Sequence, residues 1–200
     1  FIFLFSALFF TFSRGAWITF GIFLLAIFAY GLKNKNKRIL SVSSYFLLII
    51  AILTIIYLPI VQTRLFVSSS NEIISTTERT AGLKEAWQIH KQYPLFGVGA
   101  GNYTAASYKL NPNLPCWEYQ PVHNVFLLLL VELGAIGAII LILTFITYIN
   151  SLRAKIMPRF YFLLGIFVIL IMFDHYLFSF YSGLMLSAIY LGLISRPKHI

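Results

Sequence analysis

The stretch QPVHNVFLLLLVELGAIG, residues 120–137, places a His-Asn pair where a polar segment becomes a long apolar run. The run continues to about residue 149. That is more than the roughly 20 apolar residues that a helix needs to cross a bilayer. We therefore predict a membrane-spanning helix over 122–149 with an imidazole at its mouth.

The composition extends this interpretation to the whole chain. Of its 200 residues, 60% are hydrophobic and 10% are charged, whereas about a quarter of a soluble domain is charged. We predict an all-α fold, a polytopic transmembrane helix bundle that forms a single membrane domain over 1–200. The six predicted crossings are 1–13, 16–32, 39–60, 122–149, 160–177 and 179–194. The chain begins inside an apolar run too short to cross, so we expect it to be the C-terminal part of a larger protein.

The basic residues cluster in three connections that carry no acidic residue. Segments 33–38, 150–159 and 195–200 hold four, three and two basic residues. The positive-inside rule assigns them, with the C-terminus, to the cytoplasm. The net charge of +9 is then a topology signal, and we predict no nucleic-acid partner.

The connection 61–121 is then extracytoplasmic. At about 60 residues it is longer than a simple connection between helices, so we expect it to have a function. STTE at 75–78 has the pattern of a capping box, which predicts a helix from Ser75 to near Pro94. A glycine-rich turn follows, and 111–121, with three prolines, is predicted to be extended. The residues predicted to share one face of the helix are Arg79, Leu83, Ala86, Trp87 and His90.

His123 is the candidate catalytic residue. The pKa of imidazole, about 6.5, lies near neutrality, and its neutral form accepts a proton from a hydroxyl nucleophile. The alternative is a helix-end histidine bonded to a backbone carbonyl. Asn124 and Glu132 are possible supporting residues, although Glu132 would also suit a buried, hydrogen-bonded acid. The pair at 174–175 could be a proton relay in a transporter.

Arg14 and Arg79 are candidates for binding phosphate, because guanidinium donors match phosphate oxygens. Arg14 follows an almost absent outer loop, and Arg79 falls in the first turn of the predicted loop helix, where a cation opposes the helix dipole. Snorkelling at the membrane surface is the alternative for Arg14, and a salt bridge to Glu78 or Glu72 is the alternative for Arg79. Arg64 is a weaker candidate of the same kind.

The sequence resembles the O-antigen ligase/polymerase family, the Wzy/WaaL-type membrane glycosyltransferases. The motifs that carry the resemblance, in order, are SRGAW (13–17), RTAGLKEAW (79–87), YPLFGVGAGNY (93–103), HNVFLLLLVELGAIG (123–137) and DHYLFSFYSGLMLSAIYLGL (174–193). Their order is specific to this superfamily and indicates no particular substrate.

The resemblance implies a GT-C glycosyltransferase of the bacterial inner membrane. Such an enzyme transfers or polymerises glycan from an undecaprenyl-diphosphate-linked donor onto a glycan, lipid A core or other hydroxyl acceptor at the periplasmic face. It implies inversion at the anomeric carbon and no metal or cofactor. His123 takes the catalytic role, and Arg14 and Arg79 bind the diphosphate. The alternative is a transporter or flippase for lipid-linked oligosaccharide, which would have broken helices with polar residues near mid-membrane.

Overall fold

The computed structural model describes residues 2–66, 70–152 and 159–194. Within these ranges the regular structure is entirely helical, which confirms the all-α prediction. A short 3-10 helix covers Cys116–Glu118. The α-helices are α1 (Ile2–Phe10), α2 (Arg14–Lys33), α3 (Lys37–Ile56), α4 (Leu58–Leu65), α5 (Ser70–Gln92), α6 (Tyr103–Leu110), α7 (Val125–Leu152), α8 (Arg159–Phe173), α9 (Tyr176–Ser179) and α10 (Tyr181–Ile194).

Within the described residues, three helices are long and apolar enough to cross a membrane, and the six predicted crossings are not confirmed. The three are α2, α3 and the Val125–Asn150 part of α7. The helices α1, α8 and α10 have 9, 15 and 14 residues, short of the roughly 20 that a crossing needs. The basic connection at 153–158 and the tail 195–200 lie outside the described residues, so their cytoplasmic side stays a prediction.

The connection 61–121 is mostly helical, and its 60-residue loop is likewise not confirmed. Helix α5 begins at Ser70, so the helix start predicted at Ser75 is wrong, and Arg79 lies in mid-helix rather than in a first turn. The buried face agrees with the prediction at Ala86, which is buried, but Ile89 is buried as well, while Leu83 and Trp87 are about half exposed.

The chain forms two compact units, residues 1–76 and 77–200. In the first, Ser13 caps α2 by accepting a hydrogen bond from the Ala16 N–H at 3.3 Å. The Trp17 ring stacks on Phe9 at 5.2 Å and its indole N–H donates to the Phe9 carbonyl at 3.0 Å. These contacts hold α1 on the start of α2, one turn from Arg14.

The second unit has two clusters of buried apolar side chains. One joins α5, α6 and α7 and contains Ala86, Ile89 and Tyr103. The other joins the start of α7 to α8 through Val125 and Phe167. Together they place the first turn of α7 between the connection that precedes it and the end of α8.

Helix α7 is broken at Gly134, and the glycine-rich segment 94–99 docks into the break. Gly134 has φ +66° and ψ −179°, a conformation that essentially only glycine adopts. Gly97, at φ +68°, lies against it so closely that a Cβ on either glycine would collide with backbone of the other segment. Four backbone hydrogen bonds fill the break: Val98 N–H to Val131 C=O (3.0 Å), Gly99 N–H to Glu132 C=O (2.9 Å), Ala135 N–H to Pro94 C=O (2.9 Å) and Ile136 N–H to Leu95 C=O (3.1 Å).

Candidate active site

Asn124 fixes the entry to α7 and explains why the His-Asn pair precedes the apolar run. Its Oδ1 accepts from the Leu127 N–H at 2.9 Å, which is the bond of an N-cap residue. Its Nδ2 donates to the Met172 carbonyl at 3.2 Å, near the end of α8. Asn124 therefore ties the start of α7 to the end of α8, and His123 is carried at that junction.

The junction brings His123 beside Asp174 and His175. The two imidazole rings lie 5.0 Å apart, nearly perpendicular. One potential donor atom from each of the three side chains lies within 4.8 Å of the others. Asp174 is also held locally, because its Oδ1 accepts from the His175 N–H at 2.8 Å. A half-buried histidine thus has a carboxylate and a second imidazole as near neighbours.

Burial favours the neutral form of both histidines. Burial lowers the pKa of His123 below its ordinary value; Asp174 raises it in part, and Arg79 lowers it further. Burial also lowers the pKa of His175, and His123 adds to this effect. At neutral pH His123 is therefore mainly an uncharged imidazole, the form that accepts a proton.

His175 is the most enclosed member of the group. Its side chain is 2% exposed, and neither ring nitrogen has a hydrogen-bond partner within the part of the chain that the structure describes. A buried polar group without a partner costs about 1–3 kcal/mol. Its placement beside His123 therefore calls for a reason other than stability.

The predicted arginines are distributed over both units. Arg79 is half-buried in α5 of the second unit, and its charge reaches His123. Arg14 is half-buried in the first turn of α2, and Arg64 is exposed in the last turn of α4, both in the first unit. The roles of all three stay predictions.

Glu132 takes part in a network of hydrogen bonds that holds the connection between α5 and α7 in place. Its Oε1 accepts from the Tyr103 N–H at 3.4 Å. The Tyr103 hydroxyl donates to Glu85 at 3.3 Å, and Asn111 donates to the other Glu85 oxygen at 3.3 Å. Burial and the Glu85 charge raise the pKa of Tyr103, so its phenol remains a donor. These contacts link α5, α6 and α7.

The donor types of His123, Asp174 and His175 are ones that transition metals bind. Their spread of up to 4.8 Å exceeds the roughly 3.3 Å between ligands of one tetrahedral zinc, which follows from Zn–N bonds of about 2.0–2.1 Å. A metal would have to draw the three side chains together. The arrangement as it stands suits a base assisted by a neighbouring carboxylate, and the metal-free site stays a prediction.

Sequence reasoning missed His175 and Asp174 as members of this group. The signal was present, since an Asp-His pair directly follows an apolar run, as His123 directly precedes one. Such pairs come together when the start of one apolar helix packs beside the end of another. The bond from Asn124 to Met172 is the contact that joins them here.

The fold and the site define a helical membrane protein that carries a histidine-carboxylate group at the end of a crossing segment. A family model described as O-antigen ligase matches residues 1–142, which include Arg14, Arg79 and His123 and end before Asp174. Comparisons with curated proteins and with solved structures found no match.

The chain therefore belongs to the O-antigen ligase family. Membership confirms the assignment to the O-antigen ligase/polymerase class and gives the protein a role in glycan assembly as a glycosyl-transferring enzyme. With its apolar helices, it also indicates an integral protein of the inner membrane whose donor is a lipid-linked glycan.

Proposed function

We propose that the protein transfers or polymerises glycan from an undecaprenyl-diphosphate-linked donor onto an acceptor hydroxyl at the outer face of the inner membrane. The observation that carries this proposal is the half-buried, neutral His123 beside Asp174 at the mouth of α7. It offers a base at the point where a membrane-bound donor and a water-side acceptor would meet.

In the proposed reaction the acceptor hydroxyl gives its proton to a ring nitrogen of His123. The acceptor oxygen attacks the anomeric carbon from the face opposite the diphosphate, so the configuration inverts. The bond from that carbon to the diphosphate oxygen breaks, and the electron pair leaves with undecaprenyl diphosphate. Asp174 stabilises the imidazolium that forms, as a carboxylate beside a catalytic histidine does.

The leaving group gains negative charge as its bond breaks, and this is the role proposed for Arg14 and Arg79. Fixed cations near a low-dielectric boundary stabilise developing charge more than water does. The loss of one such donor commonly costs about 3 kcal/mol, or roughly a hundredfold in rate. No step needs a metal or a cofactor.

The transporter alternative has one feature in its favour, the break in α7 at Gly134. In transporters the ends of broken helices face a cavity and bind the cargo. Here the carbonyls of Val131 and Glu132, and the N–H groups of Ala135 and Ile136, bond to segment 94–99. Because segment 94–99 occupies both half-helix ends, we favour surface chemistry over a transport path.

The experiment is transfer from a synthetic polyprenyl-diphosphate glycan by the purified full-length protein. We expect His123→Ala to abolish transfer with expression and membrane insertion unchanged. His90→Ala is the matched control, because His90 is a second partly buried histidine, in α5. Wild-type transfer by His123→Ala would remove His123 from the mechanism, and donor movement across vesicles without acceptor would favour the transporter.

A further inference from the structure

A cavity of about 380 Å³ lies against His175, the neighbour of His123. Its wall comes from the segment just before His123, through Tyr119, Gln120 and Pro121. The turn around α9 supplies the rest, His175, Tyr176, Ser179 and Phe180. At about 30 Å³ for each water molecule in the liquid, this volume has room for roughly a dozen waters, and one hexose unit fits within it.

The lining is neutral and rich in aromatic rings. Among the described residues that line it there is no Lys, Arg, Asp or Glu. A diphosphate would require cationic donors, so this cavity does not suit the charged part of the donor. Aromatic faces that alternate with an amide and a hydroxyl do suit a pyranose, whose ring hydrogens form an apolar face and whose hydroxyls form a polar rim.

Two of the rings are exposed and already arranged for such a ligand. Tyr176 and Phe180 are each 51% exposed, with ring centroids 5.1 Å apart at 46°. Phe180 in turn lies nearly parallel to the His175 ring at 6.2 Å. Because both rings line the same cavity as His175, their exposed faces are open to a ligand bound there.

The opposite wall is fixed by hydrogen bonds. The Tyr119 hydroxyl donates to the Asn111 carbonyl at 2.7 Å and accepts from the Leu114 N–H at 3.1 Å. This leaves its ring, rather than its hydroxyl, for a ligand. Gln120 Nε2 donates to the Trp117 carbonyl at 2.9 Å, which orients the amide while its second N–H and its oxygen can pair with sugar hydroxyls.

We propose that this cavity is a pyranose subsite, in which Tyr176 and Phe180 stack on the sugar ring that lies next to the reacting bond and Gln120 binds its hydroxyls. The proposal rests on the proposed glycosyl transfer, because a sugar held here adjoins His123 across His175. The sugar belongs either to the donor or to the acceptor, and the chemistry of recognition is the same for both.

The first measurement is saturation-transfer NMR on the full-length protein. The probes are methyl β-glucopyranoside, methyl β-galactopyranoside, N-acetylglucosamine and glycan released from the host's own lipid-linked intermediate. We expect transfer of saturation to at least one of these sugars, a loss of it in Tyr176→Ala, and its retention in Tyr176→Phe, which keeps the ring. The matched control is Tyr181→Ala, since Tyr181 is 79% exposed and lies outside the cavity lining.

The second measurement is the kinetics of transfer by the same variants. We expect Tyr176→Ala and Phe180→Ala to raise the KM for one substrate about tenfold with little change in kcat. The substrate whose KM rises identifies the source of the sugar. His123→Ala should show the reverse pattern, with kcat lost.

The outcomes separate the two proposals. His123-dependent transfer with a KM that Tyr176→Ala leaves unchanged would overturn the subsite alone. The subsite would also be overturned if wild type and Tyr176→Ala transferred saturation equally to the sugars, or if wild type transferred none to any probe. Sugar binding that depends on Tyr176, without any transfer by the wild-type protein, would overturn the proposed function and leave the subsite standing.

Discussion

Replacing Gly134 by alanine should destabilise the protein more than any other glycine-to-alanine change in α7. A side chain at φ +66° and ψ −179° costs about 1–3 kcal/mol in backbone strain, and the new Cβ would collide with the backbone of Leu95 and Gly97. Relief of the collision requires segment 94–99 to move away, and four backbone hydrogen bonds cross that contact.

Each of these bonds contributes about 1 kcal/mol net. If only half of them are lost, strain and hydrogen bonds together give at least about 3 kcal/mol. For a chain of this size that corresponds to a fall of roughly 6–12 °C in the unfolding midpoint. The assay is thermal unfolding of the full-length protein in detergent, followed by circular dichroism.

The matched control is Gly82→Ala in α5. A Cβ there meets nothing within 4 Å and its φ is not positive, so alanine should leave the midpoint unchanged or raise it through helix propensity of up to about 1 kcal/mol. Gly97→Ala should behave like Gly134→Ala, and the double variant should be less than additive because both changes break one contact. A Gly134→Ala protein that melts within about 2 °C of Gly82→Ala would refute the docking of segment 94–99.

Four further expectations concern the site. The rate of transfer by the wild-type enzyme should fall only at pH values below the ordinary histidine pKa. Arg79→Gln removes a cation that lowers the pKa of His123, so the fall should begin at higher pH. Asp174→Asn removes a carboxylate that raises this pKa, so the fall should begin at lower pH. If the pH at which the transfer rate falls is unchanged in both variants, a group other than His123 titrates. Arg14→Lys should reduce transfer about tenfold or more, because lysine keeps the charge and loses the planar fork of donors; an unaffected variant would leave Arg14 an anchoring role. Prolonged treatment with EDTA should leave transfer intact, and activity restored only by added zinc would contradict the metal-free site. Asn124→Ala should cost about 1–2 kcal/mol of stability through loss of the cap, whereas Asn124→Ser should retain most of it.

The apolar runs were sufficient to predict an all-helical membrane protein, but not the number of crossings. A run of hydrophobic residues does not reveal where the backbone leaves the helix. The apolar run continues on both sides of Gly134, with Glu132 as its one charged residue, although the helix is broken there, because the break depends on hydrogen bonds from residues more than thirty positions upstream. The turn around α9 separates α8 from α10.

The candidate site was predictable only in part. His123 was identified because a titratable residue stood next to an apolar run. The face of α5 was misjudged because Trp87 and Leu83 are apolar by composition, whereas the tight contacts are made by the smaller Ala86 and by Ile89. Asp174 and His175 were considered only as a proton relay of a transporter, because their proximity to His123 depends on the fold.

The break in α7 also constrains the insertion of this helix into the membrane during synthesis. Segment 94–99 leaves the ribosome before Gly134, so the partner of the break already exists when α7 enters the membrane. Without that partner, four backbone groups of α7 would face lipid unbonded, and each would cost several kcal/mol. A full-length chain in which residues 95–99 are replaced by a flexible linker should therefore straighten α7 during biogenesis, turning its second half about the helix axis.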